Sequence, residues 1–476
     1  MHDDSYLPDM RVGCTAGSPL LMTKKPVSDG ELDDIDAAGI VIDPEAENSD
    51  EIIQHLSRVA LVEFDQGKYL DAVISYCRHH GQKNALEFHL GGPGLITILK
   101  SIGDLSSLEA FRLQILPSAN PHNADDFLLK MALDQPVVVR ADTADEVATD
   151  EAKVAVGAHA LHGFIFRDVK EMQEFGERWN KIKIGKTRIP YPEPTIFLEG
   201  SSDAIGQYFQ NENNFADDRT TCDAYIVNDR LSRERARKIS DLRLLRIEEA
   251  HSDPIEEPLD GSLLVGIVNL QGAAKVERLM IRKLREQATF FHVKTEMVHT
   301  RQEMENLDGI VLPAGWSGSQ LPKYERMGII EGLRDALREK RMAMYFSCAG
   351  AILAGNSKKK RVGCSAHPPA DLLDYGVINN HINGEVPIIF QQGSNGGRTW
   401  ITKKTPCVGA PVFVNVNQTE LEPIALTEGH EIVAVEGTNP KHPPILASAV
   451  HTERLYKRWL RKLGEHEWQK LEDRDA

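Results

Sequence analysis

The segment Met342–Leu353, MAMYFSCAGAIL, decides the fold of the C-terminal half of the chain. An apolar run typical of a buried strand ends at Ser347 and Cys348, and the small residues Ala349 and Gly350 open an apolar helix. Small side chains around Cys348 permit the sharp strand-to-helix turn of a nucleophile elbow. Backbone N–H groups at the start of that helix favour a thiolate. The alternative is a buried, inert cysteine, and this segment alone does not separate the two.

The pattern around the elbow repeats a strand-helix-strand order. Two continuous apolar runs, LLVGIVNL (263–270) and GIVLP (309–313), alternate with a helix reaching Gln287 and a strand near FFHVKT (290–295). An amphipathic helix, IIEGLRDALREKR (329–341), follows them. Apolar strands that alternate with helices indicate a buried parallel sheet with right-handed crossovers. We therefore predict an α/β fold.

The first half of the chain shows a second α/β pattern, and its composition divides it from the rest. Residues 1–51 are acidic and are predicted to form a mobile arm or a loosely packed first element, and residues 52–247 to form a separate α/β domain. Residues 248–261, EEAHSDPIEEPLDG, read as a linker, and residues 262–476 as the C-terminal domain. Within the first domain, the segment GLITILKSIG (94–103) predicts a helix.

Composition excludes several classes of protein. The 476-residue chain has a net charge of −16, with −20 in the first 260 residues and +4 in the remainder. Nucleic-acid phosphates demand concentrated Lys and Arg, so a nucleic-acid partner is not expected. No apolar run approaches the roughly 20 residues that span a bilayer, so no membrane partner is expected either.

The start of the chain and its cysteines indicate a cytoplasmic protein without cofactors. The first ten residues are acidic and lack the order of a secretory signal, and six cysteines do not suggest a disulfide framework. The pair Cys364 and His367 has no further ligands at zinc spacing. We therefore predict neither a metal nor a cofactor.

A base for Cys348 is predicted about a hundred residues downstream of it. The segment ILASAVHTE (445–453) reads as a strand that ends in His451, with Glu453 two positions further on. His451 would take the thiol proton while Glu453 orients the imidazole, as in other catalytic triads. Gly315, in the loop after GIVLP, and Ala349 are candidate oxyanion donors. The alternatives are a surface His-Glu pair and an ordinary turn.

Taken in order, these segments resemble the class I glutamine amidotransferases, and most of all the glutaminase subunit of pyridoxal phosphate synthase. GIVNLQGAAKVE (266–277) resembles that family's opening strand and Leu-Gln-Gly turn, and LDGIVLPAGWS (307–317) its substrate loop. FSCAGAILA (346–354) resembles its cysteine elbow, and ILASAVHTE its His-Pro-Glu ending. The resemblance runs from Leu263 to Leu460.

The resemblance implies a flavodoxin-like three-layer domain with a mostly parallel sheet. It also implies a Cys-His-Glu hydrolase that releases ammonia from glutamine for an acceptor, handled by the N-terminal domain or by a partner synthase. Cys348 would form the thioester, His451 would act as base and acid, and Glu453 would orient it. Beside Gly315 and Ala349, the residues expected at the substrate are Trp316, Ser317, Gln271 and Gly272.

The sequence departs from the family around the substrate, and this keeps other functions open. Where the family has Gly-Gly-Glu-Ser, this chain has Ala-Gly-Trp-Ser at residues 314–317, and Gly409 stands where the family has an Arg before Ala-Pro. One alternative is a catalytically silent domain that serves as a binding or assembly module. Another is a cysteine hydrolase acting on a γ-glutamyl or related amide. No family is identified for residues 1–260.

Overall fold

A computed structural model shows two α/β units with the boundary between residues 250 and 251. The residues that the structure describes are 20–23, 39–42, 59–64, 95–99, 137–150, 152–153, 163–182, 194–210, 222, 224–229, 232–270, 274–285, 288, 291–315, 317–359, 361–362, 369–392 and 399–475.

The first unit contains a closed barrel of eight parallel strands. Each strand pairs with the next along the chain, and the eighth returns to pair with the first. Closure leaves no unpaired sheet edge, which short apolar strands would otherwise expose. The strands are β1 (Leu20–Thr23), β2 (Gly39–Ile42), β3 (Val59–Phe64), β4 (Leu95–Leu99), β5 (Val137–Ala141), β6 (Gly163–Phe166), β7 (Thr195–Gly200) and β8 (Ala224–Val227).

Two expectations for this unit can be compared with its strands. The segment 1–51, expected to form a mobile arm or a first element, includes β1 and β2 of the barrel. The predicted helix over residues 94–103 is wrong, because Leu95–Leu99 forms β4 and pairs with both β3 and β5. A short apolar run such as Leu-Ile-Thr-Ile-Leu suits a buried strand as well as a helix, and only its neighbours decide.

Helices accompany the later barrel strands. The helix Val169–Lys181 is capped by the Asp168 side chain, which accepts hydrogen bonds from the Lys170 and Glu171 backbone N–H groups at 2.7 and 3.3 Å. Its buried aromatic residues, Phe175 and Trp179, pack against the aromatic rings of β6. The other helices described in this unit are Ala144–Val147, Ser202–Gln210 and Arg233–Ala250.

The second unit is built on a ten-stranded mixed sheet. Its strands are β9 (Leu263–Val268), β10 (Val293–Val298), β11 (Gly309–Leu312), β12 (Ala343–Ser347), β13 (Arg361–Val362), β14 (Gly376–Gln392), β15 (Thr399–Val414), β16 (Leu421–Thr427), β17 (Ile432–Gly437) and β18 (Ile445–Ser448).

The strand order across this sheet is β10-β9-β11-β12-β18-β17-β15-β14-β13, with β16 pairing β14 and β17. The five strands from β10 to β18 pair in parallel, and the short edge strand β13 pairs in parallel with β14. The other pairs, among β14 to β18, are antiparallel. The sheet is therefore mixed, whereas we expected a mostly parallel one.

Helices pack beside this sheet and complete its core. The long helix Glu453–Asp475 lies against the sheet through the stacked rings of Tyr345 and Tyr456, 4.3 Å apart, and through the buried Trp459. No described helix is long and apolar enough to cross a membrane. The other helices are Ala274–Leu284, Ser317–Arg326, Ile329–Glu339 and Ala349–Ala354, with a 3-10 turn at Gln302–Met304.

The long helix makes a close backbone contact that predicts a stability effect. A Cβ at Gly464 would overlap the backbone carbonyl of Ala288, which cannot swing aside as a side chain would. We expect Gly464→Ala to lower the free energy of unfolding of the C-terminal unit by about 1–3 kcal/mol or more, since 1–3 kcal/mol is the usual cost of overpacking. Urea unfolding followed by hydrogen exchange in the C-terminal unit measures this effect. The matched control is Gly206→Ala, a helical glycine with open space around its missing Cβ. Equal stability of the two variants would contradict the prediction.

Candidate functional site

Cys348 occupies a strained turn between β12 and the helix Ala349–Ala354. Its backbone angles are φ 45° and ψ −100°, a conformation that is costly for a residue with a side chain. The Cys348 N–H donates to the carbonyl of Ser448 at 2.7 Å, which ties the turn to the end of β18. The predicted sharp strand-to-helix turn is therefore present in the structure.

Gly350 lets the elbow approach the end of β11. A Cβ at this position would lie 2.5 Å from the carbonyl oxygen of Leu312 and 2.8 Å from its Cβ. Neither atom can give way without moving the strand. The packing of the elbow against the sheet thus requires glycine at position 350.

His451 lies at the same edge of the sheet, just after β18, and is buried. Its Nδ1 is 3.0 Å from the hydroxyl oxygen of Ser347, while its Nε2 is buried without a hydrogen-bond partner among the described residues. Burial lowers the pKa of His451 to about 4. The imidazole is therefore neutral at physiological pH, and Nε2 is the ring nitrogen left to act on another molecule or group.

Glu453 has different partners from those that the resemblance implies. Its carboxylate oxygens bond the ammonium groups of Lys457 at 2.7 Å and Lys283 at 3.0 Å, and none of its described contacts joins it to His451. Burial would raise the pKa of Glu453, but the two lysines hold it below its ordinary value. Because Glu453 opens the helix Glu453–Asp475, its side chain follows the helix surface instead of turning toward the imidazole.

Glu277 is a buried carboxylate near the catalytic candidates that the sequence did not lead us to expect. It is fully buried in the helix Ala274–Leu284, contacts the Ser347 hydroxyl, and accepts the Ala314 N–H at 3.4 Å. Burial raises the pKa of Glu277 to about 7, although the contacts with Ser347 and Ala314 oppose the rise. A signal was present in the sequence, because Glu277 shares the apolar face of its helix with buried Ala274 and Ile281.

The thiol of Cys348 is protonated in this structure. Burial raises the pKa of Cys348 to about 12, the nearby Glu277 charge adds to the rise, and the Ala349 N–H opposes it. Desolvation therefore outweighs the helix N-terminus that we expected to favour a thiolate. The site in this form combines a neutral thiol at the elbow with a neutral imidazole just after β18.

Two curated proteins show what this chain is similar to. A relative from Aeropyrum pernix, pyridoxal 5'-phosphate synthase subunit PdxT, is 26% identical over 208 residues, which are 41% of this chain and 97% of that protein. The subunit of the same name from Pasteurella multocida is 27% identical over 191 residues, 40% of this chain and 89% of its own length. The C-terminal half of this chain is similar to PdxT.

A solved structure is also similar to part of this chain. A crystal structure described as a glutamine amidotransferase covers 42% of this chain and 98% of its own, with 22% identity and a TM-score of 0.33. No protein-family profile matches the chain. The similarity to the PdxT relatives supports no function for the N-terminal barrel.

The structure describes some of the remaining candidate residues in the PdxT-like unit and leaves others outside its described ranges. Gly315 follows β11 with φ 153°, Ser317 begins the helix Ser317–Arg326, and Ala349 begins the helix after the elbow. The buried Gln320 amide donates to the carbonyls of Pro313 and Ala314, both at 3.4 Å, and so supports the loop that precedes Gly315. Outside the described residues lie Gln271, Gly272, Trp316, Cys364 and His367.

Proposed function

We propose that the PdxT-like unit hydrolyses the side-chain amide of glutamine, or a related amide, and releases ammonia for transfer to an acceptor. The observation that carries this proposal is the strained Cys348 elbow at the same sheet edge as a buried, neutral His451 whose Nε2 is unpaired among the described residues. Similarity to PdxT over the full length of that subunit supports it.

The neutral pair sets the order of the chemical steps. A thiol with a pKa of about 12 does not give its proton to an imidazole with a pKa of about 4 before attack, so transfer accompanies attack. Sγ of Cys348 bonds the amide carbon, the carbonyl electrons move to oxygen, and Nε2 of His451 takes the thiol proton. His451 then protonates the nitrogen, ammonia leaves, and a thioester remains. Water activated by His451 adds to the thioester and releases the carboxylic acid.

The oxyanion formed in both stages needs N–H donors. The Ala349 N–H, which lowers the thiol pKa of Cys348 and opens the elbow helix, is the first donor in our proposal. Gly315 supplies the second donor in our proposal, because a glycine in a positive-φ loop after β11 leaves its backbone accessible to a ligand. Ser317, and the undescribed Trp316, Gln271 and Gly272, are proposed to contact the substrate.

The tautomer of His451 is set by Ser347 and Glu277 in this proposal. When Nδ1–H donates to the Ser347 oxygen at 3.0 Å, the Ser347 hydroxyl hydrogen is left to turn toward the nearby Glu277 carboxylate. Nε2 then carries the lone pair that a base requires. Glu277 thus acts through Ser347 in the orienting role that the resemblance assigns to Glu453.

The ammonia acceptor is proposed to bind the N-terminal barrel or a partner synthase. In parallel barrels the active site lies at the carboxyl ends of the strands. At those ends this barrel places Arg167 3.3 Å from the buried Glu199, and Asp229 2.8 Å from the Ser202 hydroxyl. Tracing amide-labelled ¹⁵N from glutamine into small molecules, with and without a candidate synthase, tests this part of the proposal.

The glutaminase assay tests the function directly. Purified full-length protein is incubated with glutamine and then with γ-glutamyl amides, and ammonia and glutamate are measured with candidate partners absent and present. We expect release from glutamine that a partner enhances. Release from γ-glutamyl amides alone would favour the related hydrolase, and no release from any amide would favour the silent binding module.

The raised thiol pKa predicts the pH dependence of chemical modification. Because the Cys348 thiol stays protonated below about pH 12, its alkylation by iodoacetamide is expected to be slow at pH 7 and to rise steadily through pH 9. Mass spectrometry of the Cys348 peptide measures the rate, with free N-acetylcysteine as reference thiol. A rate that levels off near pH 7 would show a thiolate already formed and would contradict the prediction.

A further inference from the structure

A cluster of two histidines and one glutamate forms outside the proposed active site. His251 follows the helix Arg233–Ala250, His299 follows β10, and Glu303 lies in the 3-10 turn. Nδ1 of His251 is 2.9 Å from Oε1 of Glu303, and Nδ1 of His299 is 3.5 Å from Oε2. Three donor atoms, one from each side chain, lie within 4.8 Å of one another.

Surrounding contacts orient all three side chains. Oε2 of Glu303 accepts the backbone N–H groups of His299 at 2.5 Å and Thr300 at 3.2 Å, which leaves Oε1 facing His251. The Asn269 amide nitrogen lies 3.2 Å from Nε2 of His299, so Nδ1 is the ring nitrogen turned toward the glutamate. The Thr300 hydroxyl donates to the His251 carbonyl at 2.7 Å and holds that residue in place. A metal-binding histidine donates its other ring N–H to an oxygen, so metal binding at Nδ1 of His299 requires the Asn269 amide to turn its oxygen toward Nε2.

Burial and ligand chemistry narrow the choice of ion. His299 and Glu303 are buried and His251 is three-quarters buried, so the cluster is shielded while one side remains open to water. The two imidazole rings stack with centroids 4.0 Å apart, which turns both Nδ1 atoms to the same carboxylate. Two imidazole nitrogens and one carboxylate oxygen form a ligand set typical of Zn²⁺, with water completing the tetrahedron.

We propose that Nδ1 of His251, Nδ1 of His299 and Oε1 of Glu303 bind a divalent transition-metal ion, Zn²⁺ foremost. The ion would tie the segment that follows residue 250 to the carboxyl ends of β9 and β10, where Asn269 and His299 lie. A hydrogen bond from the Thr300 hydroxyl to the His251 carbonyl at 2.7 Å already joins this segment to the end of β10. The proposal is independent of glutamine hydrolysis.

The experiment measures metal binding to a variant that lacks the active-site thiol, because that thiol could itself bind the metal. Full-length Cys348→Ala protein, free of a histidine tag and stripped of metal, is titrated with Zn²⁺ by calorimetry, and Co²⁺ replaces Zn²⁺ for absorption spectroscopy. We expect one equivalent of Zn²⁺ bound, a rise in Tm, and the intense visible bands of tetrahedral Co²⁺. In His251→Ala and His299→Ala we expect at least about hundredfold weaker binding.

Two variants keep this test decisive. His292→Ala removes an exposed histidine outside the cluster and is expected to bind Zn²⁺ as the parent does. Glu303→Gln preserves the size of the side chain and is expected to weaken binding while circular dichroism shows a folded chain. Unchanged binding in folded His251→Ala and His299→Ala, or no binding in the parent, would overturn the proposal and leave only hydrogen bonds between the imidazoles and Glu303.

Discussion

Cys348→Ala is expected to lower kcat/KM for glutamine hydrolysis at least about a thousandfold, with no thioester formed. The reason is that Sγ supplies the only electron pair that bonds the amide carbon in the proposed sequence of steps. Alanine keeps the Cβ of Cys348, so the elbow and its hydrogen bond to Ser448 stay in place. The fold is therefore expected to survive the substitution. Steady-state ammonia release and trapping of the thioester with hydroxylamine measure the two effects.

The matched control for this variant is Cys222→Ala. Cys222 is a second buried cysteine that forms no disulfide, and its sulfur contacts the carbonyl of Ile196 in the barrel unit. Its removal is expected to leave glutamine hydrolysis unchanged. Equal activity of Cys348→Ala and Cys222→Ala would exclude Cys348 as the nucleophile and would leave the PdxT-like unit as a binding or assembly module.

Ser347→Ala and Glu277→Gln are expected to lower kcat about tenfold to a hundredfold with little change in KM, whereas Glu453→Gln is expected to change kcat less than about threefold. Ser347 holds Nδ1 of His451 and Glu277 contacts Ser347, so each substitution frees the imidazole to adopt the wrong tautomer. Glu453 bonds two lysines instead. Steady-state kinetics on the three variants measures the contrast.

A pH profile separates this positioning role from a structural one. Burial raises the pKa of Glu277 to about 7, so the carboxylate that accepts the Ser347 hydroxyl is lost as the pH falls through about 7. We expect kcat of the parent to fall below that pH and the fall to be absent in Glu277→Gln. The double variant of Ser347 and Glu277 should be no slower than Ser347→Ala alone, since both act on one imidazole.

The opposite pattern would return the orienting role to Glu453. A large loss in Glu453→Gln, together with near-parent kinetics in Ser347→Ala, would show that the ligand-bound enzyme breaks the lysine contacts and turns Glu453 toward His451. Circular dichroism and Tm of each variant check that the differences do not come from unfolding.

The sequence by itself determined the elements whose signal is local. The run MAMYFSCAGAIL indicated a strand, a sharp turn and a helix, because strand periodicity and small residues are properties of neighbouring positions. The same reasoning located β9, β11 and β18, and so placed Cys348 and His451 at strand ends that a parallel arrangement brings to one edge. Its failure at Leu95–Leu99 has the same origin, since five apolar residues carry too little periodicity to separate strand from helix.

Only the tertiary structure decided which side chains meet. Glu277 and Ser347 are 70 residues apart, and His451 lies another 104 residues on, so no spacing in the chain marks their contact. The meeting of His251 with Glu303 and the pairing of Glu453 with Lys283 depend in the same way on how the helices pack on the sheet. Burial, which neutralises Cys348 and His451, is likewise a property of the assembled core, because desolvation requires atoms brought from distant parts of the sequence.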